Sequence, residues 1–352
     1  MLPYIISFAY LAVMAIMQPP YQKWDSKLLW IPTAMYFILF IGFRDEVGAD
    51  WGNYLAMFER DAVNMDYIDA LHHHDPSYWL LQVWAWDLGY EIYFVNFIAA
   101  ILFVWGVSRF VMKLLPNPWL GFVVIMSYTM IAVATGYVRQ GIALGITFGA
   151  LSYLVEKKML QFISLAFFAA SFHRTAVLII GLALFADKKN KFFKFIGVSI
   201  MIVAAYVTFL AGAEQKYIQE YILNNMQSSG AVIRALMNVI PAILFFIYKN
   251  RWKRLFADGY GLWFIMSIGA FVQVLTVKFA STAIDRMGLY LIPLQVVVFG
   301  RLPILLSDII SPRFTTTLIV LYYALVYFVF LNFASWAFAW LPYKNILVEE
   351  FF

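Results

Sequence analysis

The sequence predicts an all-α polytopic membrane protein of about twelve spans, and three observations predict it. Of 352 residues, 64% are hydrophobic and only 13% are charged, against roughly 25% charged in an average soluble domain. Mean hydropathy is +0.79. Apolar runs long enough to cross a bilayer recur along the whole chain. This composition excludes a soluble enzyme, a disordered chain and a coiled coil. With no Cys, disulfides, thiolate nucleophiles and thiolate metal sites are excluded too. Backbone in lipid must satisfy its own hydrogen bonds, so the spans are helices.

In chain order, spans are expected near 1–18, 28–43, 92–112, 118–135, 139–155, 159–173, 175–187, 193–212, 231–249, 260–279, 287–306 and 314–333. The opening MLPYIIS carries no basic residue before its apolar run, so it reads as the first span and not as a cleaved signal peptide. The sixth and seventh runs are short and fit half-spans or a re-entrant pair. Two stretches lie between spans on the outer side: a long loop at about 44–91 and a second segment at about 214–230. In the long loop, PSYWLLQVWAWDLGY places Trp79, Val83, Trp86 and Tyr90 at helical spacing, as in an amphipathic helix on the membrane surface. No internal repeat is visible. Residues 1–352 read as one integral membrane domain.

Charge orients the spans. One set of alternate loops holds 16 of the 25 cations and five acids, a net +11, among them Lys157, Lys158, Lys188, Lys189, Arg251 and Arg254; the opposite side sums to −6. By the positive-inside rule the basic side is cytoplasmic, and both termini face out. The pI of about 9.1 therefore reflects cytoplasmic loops, and nucleic-acid binding has no support.

Ionisable groups beside apolar spans are costly and mark function by default. Five such clusters fall on the outer side. GFRDEVGADWGNY supplies Arg44, Asp50 and Tyr54; GYVRQGIALGI supplies Arg139 and Gln140; AASFHRTAVLI supplies His173 and Arg174; STAIDRMGLY supplies Asp285, Arg286 and Tyr290; LPYKNIL supplies Tyr343 and Lys344. Taken singly, each has an ordinary reading. Arg44 and Asp50 suit a capped turn, Arg139 can snorkel, His173 can bridge helices, and Asp285 can cap a helix. Their convergence on one side points to a shared outward-facing cavity. His72, His73 and His74 are adjacent and lack an acidic partner at ligand spacing, which fits a solvated loop. No phosphate-binding loop, nucleophile elbow, zinc helix or dinucleotide fingerprint is present.

Arg presents a planar fork to phosphate oxygens and stays charged. Arg44, Arg139 and Arg286 therefore suit a diphosphate at the membrane surface. Asp50, or alternatively His173, suits removal of a proton from an acceptor hydroxyl. Tyr54 and Tyr290 suit contact with sugar rings, with Gln140 and Asp285 in support. A lipid-diphosphate sugar donor fits these groups together.

At the same residues the sequence resembles the EpsG branch of the Wzy-like bacterial polysaccharide polymerases. The pattern is FR-x3-G-x-D-x3-Y from Phe43 to Tyr54, an acid-Pro pair at Asp75–Pro76 with Tyr78, and RQ-x-IA from Arg139. SFH-x2-A follows from Ser171, DR-x3-Y from Asp285, and PY-x-N from Pro342. Asp75 departs from the Glu expected before the Pro. The resemblance implies a glycosyltransferase of GT-C-like, multi-span architecture on the periplasmic face of the bacterial inner membrane. It would join oligosaccharide repeat units carried on undecaprenyl diphosphate, transferring the growing glycan to the next unit, toward O-antigen, capsule or exopolysaccharide. A flippase and a chain-length regulator are the implied pathway partners, and no cofactor or metal is implied. A lipid-linked oligosaccharide flippase or other transporter, a glycan ligase and a membrane acyltransferase are the competing readings of the residues alone.

Overall fold

The structure, a computed structural model, describes residues 1–18, 27–185, 196, 198–201, 203 and 227–349. Among these the protein is all-helical apart from one pair of two-residue strands. The helices are α1 Leu2–Met17, α2 Lys27–Gly42, α3 Trp51–Ala56, α4 Tyr67–His72, α5 Pro76–Asp87, α6 Ile92–Leu114, α7 Pro118–Gly136, α8 Val138–Val155 and α9 Met159–Phe172. A 3-10 stretch, Arg174–Phe185, follows. After it come α10 Ala231–Ile247, α11 Lys249–Leu255, α12 Tyr260–Thr276, α13 Ser281–Leu305, α14 Pro312–Phe333 and α15 Ile346–Glu349.

Five helices, α6, α7, α8, α13 and α14, are long and apolar enough to cross a membrane, and α10 with α11 adds a sixth if that pair, bent by 76°, counts as one span. Five further apolar helices are shorter: α1, α2, α9, the Arg174–Phe185 stretch and α12. These segments coincide with eleven of the twelve runs expected from hydropathy. Most of the remaining run, 193–212, and most of the segment at 214–230 lie outside the described residues.

Helices α7 and α8 form the centre of the bundle and are buried almost throughout. In lipid no hydrophobic force pulls helices together, so association relies on close packing of small residues. GIALGITFG sets Gly141, Gly145 and Gly149 four apart on α8. A Cβ at Gly106 of α6 would stand 1.9 Å from the Gly145 carbonyl oxygen. Gly106→Val is therefore expected to push the two helices apart at a cost of about 1–3 kcal/mol or more, read as a lower thermal midpoint of the purified protein.

Two features fix one end of the bundle. Within α7, residues Met126–Val133 adopt a π-helical stretch that disturbs the usual carbonyl pairing. The indole N–H of Trp340 donates to the Ile131 carbonyl and to the Thr135 hydroxyl, both at 2.9 Å. The stretch ends just before the turn at Tyr137, which starts α8 with Arg139 in its first turn. The second feature is β1 (Arg44–Asp45) paired antiparallel with β2 (Lys344–Asn345), which ties the start of the long loop to the C-terminal segment.

The helix expected in the long loop runs from Pro76 to Asp87. It is buried on two sides. Tyr78, Leu81 and Ala85 join the main core, whereas Trp79 and Val83 pack with Ala70 in a small separate cluster. It is thus wedged between the bundle and the rest of the loop.

Candidate functional site

Position 75 joins the long loop to the bundle. The residue before a proline is disfavoured in the right-handed helical region, and Asp75 adopts left-handed angles, φ 58° and ψ 58°. Asp is among the few non-Gly residues enriched there. The turn buries its carboxylate, whose side chain is 3% exposed. Arg139 Nη1 donates to Asp75 Oδ2 at 3.0 Å and the backbone N–H of Arg174 donates to Oδ1 at 3.2 Å. His173 Nδ1 stands 3.7 Å from Oδ2. Next to this, the hydroxyls of Ser77 and Ser171 meet at 2.7 Å. One carboxylate therefore draws together the head of α8, the end of α9 and the head of α5. Burial pushes the Asp75 carboxyl up, but the imidazole of His173, the charge of Arg139 and the Arg174 N–H outweigh it, and the group sits below the ordinary Asp value.

Asp50 stands at the start of α3, half-buried, with Asn53 Nδ2 3.5 Å from its Oδ1. Gly48 makes this approach possible. Its φ is +112°, and a Cβ there would lie 2.5 Å from the Thr135 carbonyl oxygen. Burial raises the Asp50 carboxyl above its ordinary value, against the charge of Arg286, the Asn53 contact and the charge of Arg139. Asp50 thus lies within the field of both arginines. Tyr54, one turn along α3, packs edge-on against Tyr78 and has the Arg139 guanidinium carbon 6.0 Å from its ring centre.

The turn carrying Arg286 is pinned from two sides. Gln140 Nε2 donates to the Arg286 carbonyl at 2.9 Å, and Asn238 Nδ2 donates to the Gly288 carbonyl at 3.1 Å. Asn238 belongs to a buried chain in which Gln295 Nε2 donates to Asn238 Oδ1 at 2.6 Å and Tyr323 donates to Gln295 Oε1 at 2.9 Å. Amides bridging helices in this way are worth about 0.6 kcal/mol each in membranes. Tyr290 meets the hydroxyl of Thr175 at 3.1 Å, linking the same turn to the residues after His173.

The structure thus gathers Asp50, Tyr54, Arg139, Gln140, His173, Arg286 and Tyr290 at one end of the bundle. Asp285 is directed elsewhere. Arg234 grips it with Nε and Nη2, each at 2.7 Å, and Ser228 donates to it at 2.8 Å. This pair borders a small cavity of about 20 Å³ lined also by Tyr128, Asn238 and Gln273.

Arg44 lies in the core, 1% exposed. It donates to the carbonyls of Ile41 and Val47 and, at 3.4 Å, to Asn96 Oδ1. Tyr343 donates to the Phe40 carbonyl at 2.7 Å and Asn345 to the Leu39 carbonyl at 3.2 Å. These three residues bond three carbonyls in the last turn of α2, where backbone partners run out; the Leu39 carbonyl also accepts from the Phe43 N–H at 3.1 Å. Lys344 pairs with Glu46 on the surface. Arg44→Met leaves buried acceptors unmet at about 1–3 kcal/mol apiece. The expected outcome is a lower yield and thermal midpoint of folded protein, in proportion to any loss of turnover.

Asp75, which the sequence marks only as the acid of the acid-Pro pair, lies in contact with the candidate residues Arg139 and His173. An acid forced into a turn immediately before a Pro, at the head of an aromatic helix, was the available signal.

A family model described as the EpsG family matches residues 27–345. No curated protein and no solved structure matches the chain.

Proposed function

Because the chain belongs to the EpsG family, a family of Wzy-like polysaccharide polymerases, we propose that it joins lipid-linked oligosaccharide repeat units on the outer face of the bacterial inner membrane. A polymerase of this kind takes lipid-linked oligosaccharides as substrates. The donor is the growing glycan on undecaprenyl diphosphate, and the acceptor is the next lipid-linked unit. Twelve spans, outward termini and a GT-C-like arrangement belong to the same reading, supported by the charge asymmetry of the loops. A flippase and a chain-length regulator are its expected partners.

The observation that carries the reading is the joining of Arg139, His173, Asp50 and Arg286 at one end of the bundle. Arg139 and Arg286 hold the donor diphosphate and stabilise the charge that develops as it leaves. Arg44, sealed in the core, supports the loop that carries Asp50 and does not meet the substrate. Asp50 accepts the proton of the acceptor hydroxyl. The hydroxyl oxygen bonds to the anomeric carbon, the bond from that carbon to phosphate breaks, and its electron pair departs on undecaprenyl diphosphate. His173 donates a hydrogen bond to the leaving phosphate. Tyr54 and Tyr290 border the path of the sugars.

Purified protein supplied with a lipid-diphosphate-linked oligosaccharide in EDTA is expected to give a ladder spaced by one repeat unit. Passage of the lipid across liposomes with no ladder would favour a transporter. Transfer to a different acceptor, without a ladder, would favour a ligase.

A further inference from the structure

Asp75 has no place in the chemistry above, yet it is the most interconnected charged group at the site. Its two firm hydrogen bonds, from Arg139 Nη1 and from the Arg174 N–H, come from elements 35 residues apart in the chain. Nδ1 of His173 is buried, has no hydrogen-bond partner, and faces Asp75 Oδ2 at 3.7 Å. A shift of roughly half an ångström would bring that pair to hydrogen-bond length, and contacts at reacting groups commonly tighten when substrate binds. His173 is the C-cap of α9 in extended backbone, φ −157° and ψ 112°, with its N–H and C=O both bonded to backbone, so the shift is one of the imidazole alone.

We propose that Asp75 is the positioning carboxylate of the site, holding the Arg139 guanidinium with one contact and accepting a hydrogen bond from Nδ1–H of His173 with another, so that Nε2–H of the imidazolium is presented to the leaving diphosphate. The proposal rests on the reading that a diphosphate meets Arg139 and His173. The carboxylate plays two parts. It fixes which imidazole nitrogen faces inward, as a carboxylate behind a histidine does at many sites. It also gives Nδ1–H an acceptor while Nε2–H points to the phosphate, the imidazolium being the form in which both nitrogens donate. No proton leaves His173 in the step: the acceptor hydroxyl gives its proton to Asp50, and Nε2 only donates a hydrogen bond to the departing oxygen. The other groups around the pair are Arg139, Arg174 and Tyr78, with Tyr54, Asp50 and Arg286 close behind. Of these, Asp50 is the one whose ionisation also bears on rate, and it acts on the acid side.

The test is Asp75→Asn in the full-length protein. Asn also tolerates left-handed angles and retains an acceptor for the Arg174 N–H. With the lipid-linked oligosaccharide as substrate, kcat is expected to fall on the order of 10²-fold. The alkaline limb of the rate–pH profile should move, because the carboxylate beside the imidazole is gone, while the acid limb set by Asp50 stays in place. Unchanged kcat, or a fall with both limbs unmoved, would overturn the proposal, the latter marking Asp75 as merely structural. Movement of the acid limb alone would overturn it as well, by making His173 the base. If Asp75→Asn does not fold, His173→Gln decides: it should abolish the alkaline limb, and survival of that limb sinks the idea. A measurement independent of turnover separates this inference from the polymerase reading. In ¹⁵N-histidine spectra with substrate bound, the Nδ1–H signal of His173 should show a hydrogen bond to a carboxylate in the native protein and lose it in Asp75→Asn. A native protein that makes no ladder refutes the polymerase reading, whereas identical His173 spectra in the two proteins refute the role of Asp75.

Discussion

Arg139→Ala is expected to lower turnover by on the order of 10²–10³-fold, the usual loss when one donor to a developing oxyanion is removed. Arg139→Lys is the more discriminating change. The ammonium of Lys keeps the positive charge and reaches toward Asp75, but it loses the planar fork that engages two phosphate oxygens at once. One hydrogen bond to a charged group is worth about 1.5–3 kcal/mol, so the Lys variant should be slower by roughly 10- to 100-fold. The geometry favours this outcome. Asp75 occupies Nη1 and Tyr54 also bonds the group, while about a third of the Arg139 side chain (33%) stays exposed, so it is anchored yet partly accessible. Laddering rates over a range of substrate concentrations check it. Full activity in Arg139→Lys would show that Arg139 acts only as a point charge, and the diphosphate would then depend on Arg286 for its orientation.

Much of the architecture is legible in the chain because lipid imposes a simple rule, that long apolar runs become helices. Eleven of the expected runs coincide with helical segments among the described residues. The site is legible in part for the same reason, since an ionisable residue beside an apolar run stands out. Position along a span does not reveal the direction of a side chain. Asp285 and Arg286 are neighbours in sequence, yet one is gripped by Arg234 and the other bears on Asp50. Arg44 looks like a phosphate ligand until the last turn of α2 is seen, where it works with Tyr343 and Asn345 from the far end of the chain. Capping across some 300 residues leaves no local signature. Asp75 was obscured for the converse reason: an acid before a proline reads as a turn, and only tertiary contacts turn that carboxylate inward.

Asp50→Asn separates the proposed base from every structural role nearby. If Asp50 takes the acceptor proton, the amide should lower turnover by about 10²–10⁴-fold, with binding of the lipid-linked donor less affected. Folding should not suffer. Burial raises the Asp50 carboxyl above its ordinary value, and the sign of the linkage follows from that. A carboxyl whose value is higher in the folded than in the unfolded protein favours folding when protonated and disfavours it once pH passes the unfolded value. Near neutrality the native carboxylate is therefore a burden, and Asn, which carries no charge, should match or exceed the native thermal midpoint. The same shift shapes the rate profile. Activity requires the ionised form, so the acid limb of the native enzyme should lie above the ordinary Asp range and should vanish in Asp50→Asn. A higher basal carboxyl value also makes Asp50 the better proton acceptor at the working pH, because a base is most effective when its affinity for protons lies close to that pH. An Asn variant that polymerises at the native rate would pass the base role to His173, and the acid limb would then be expected to respond to Asp75→Asn.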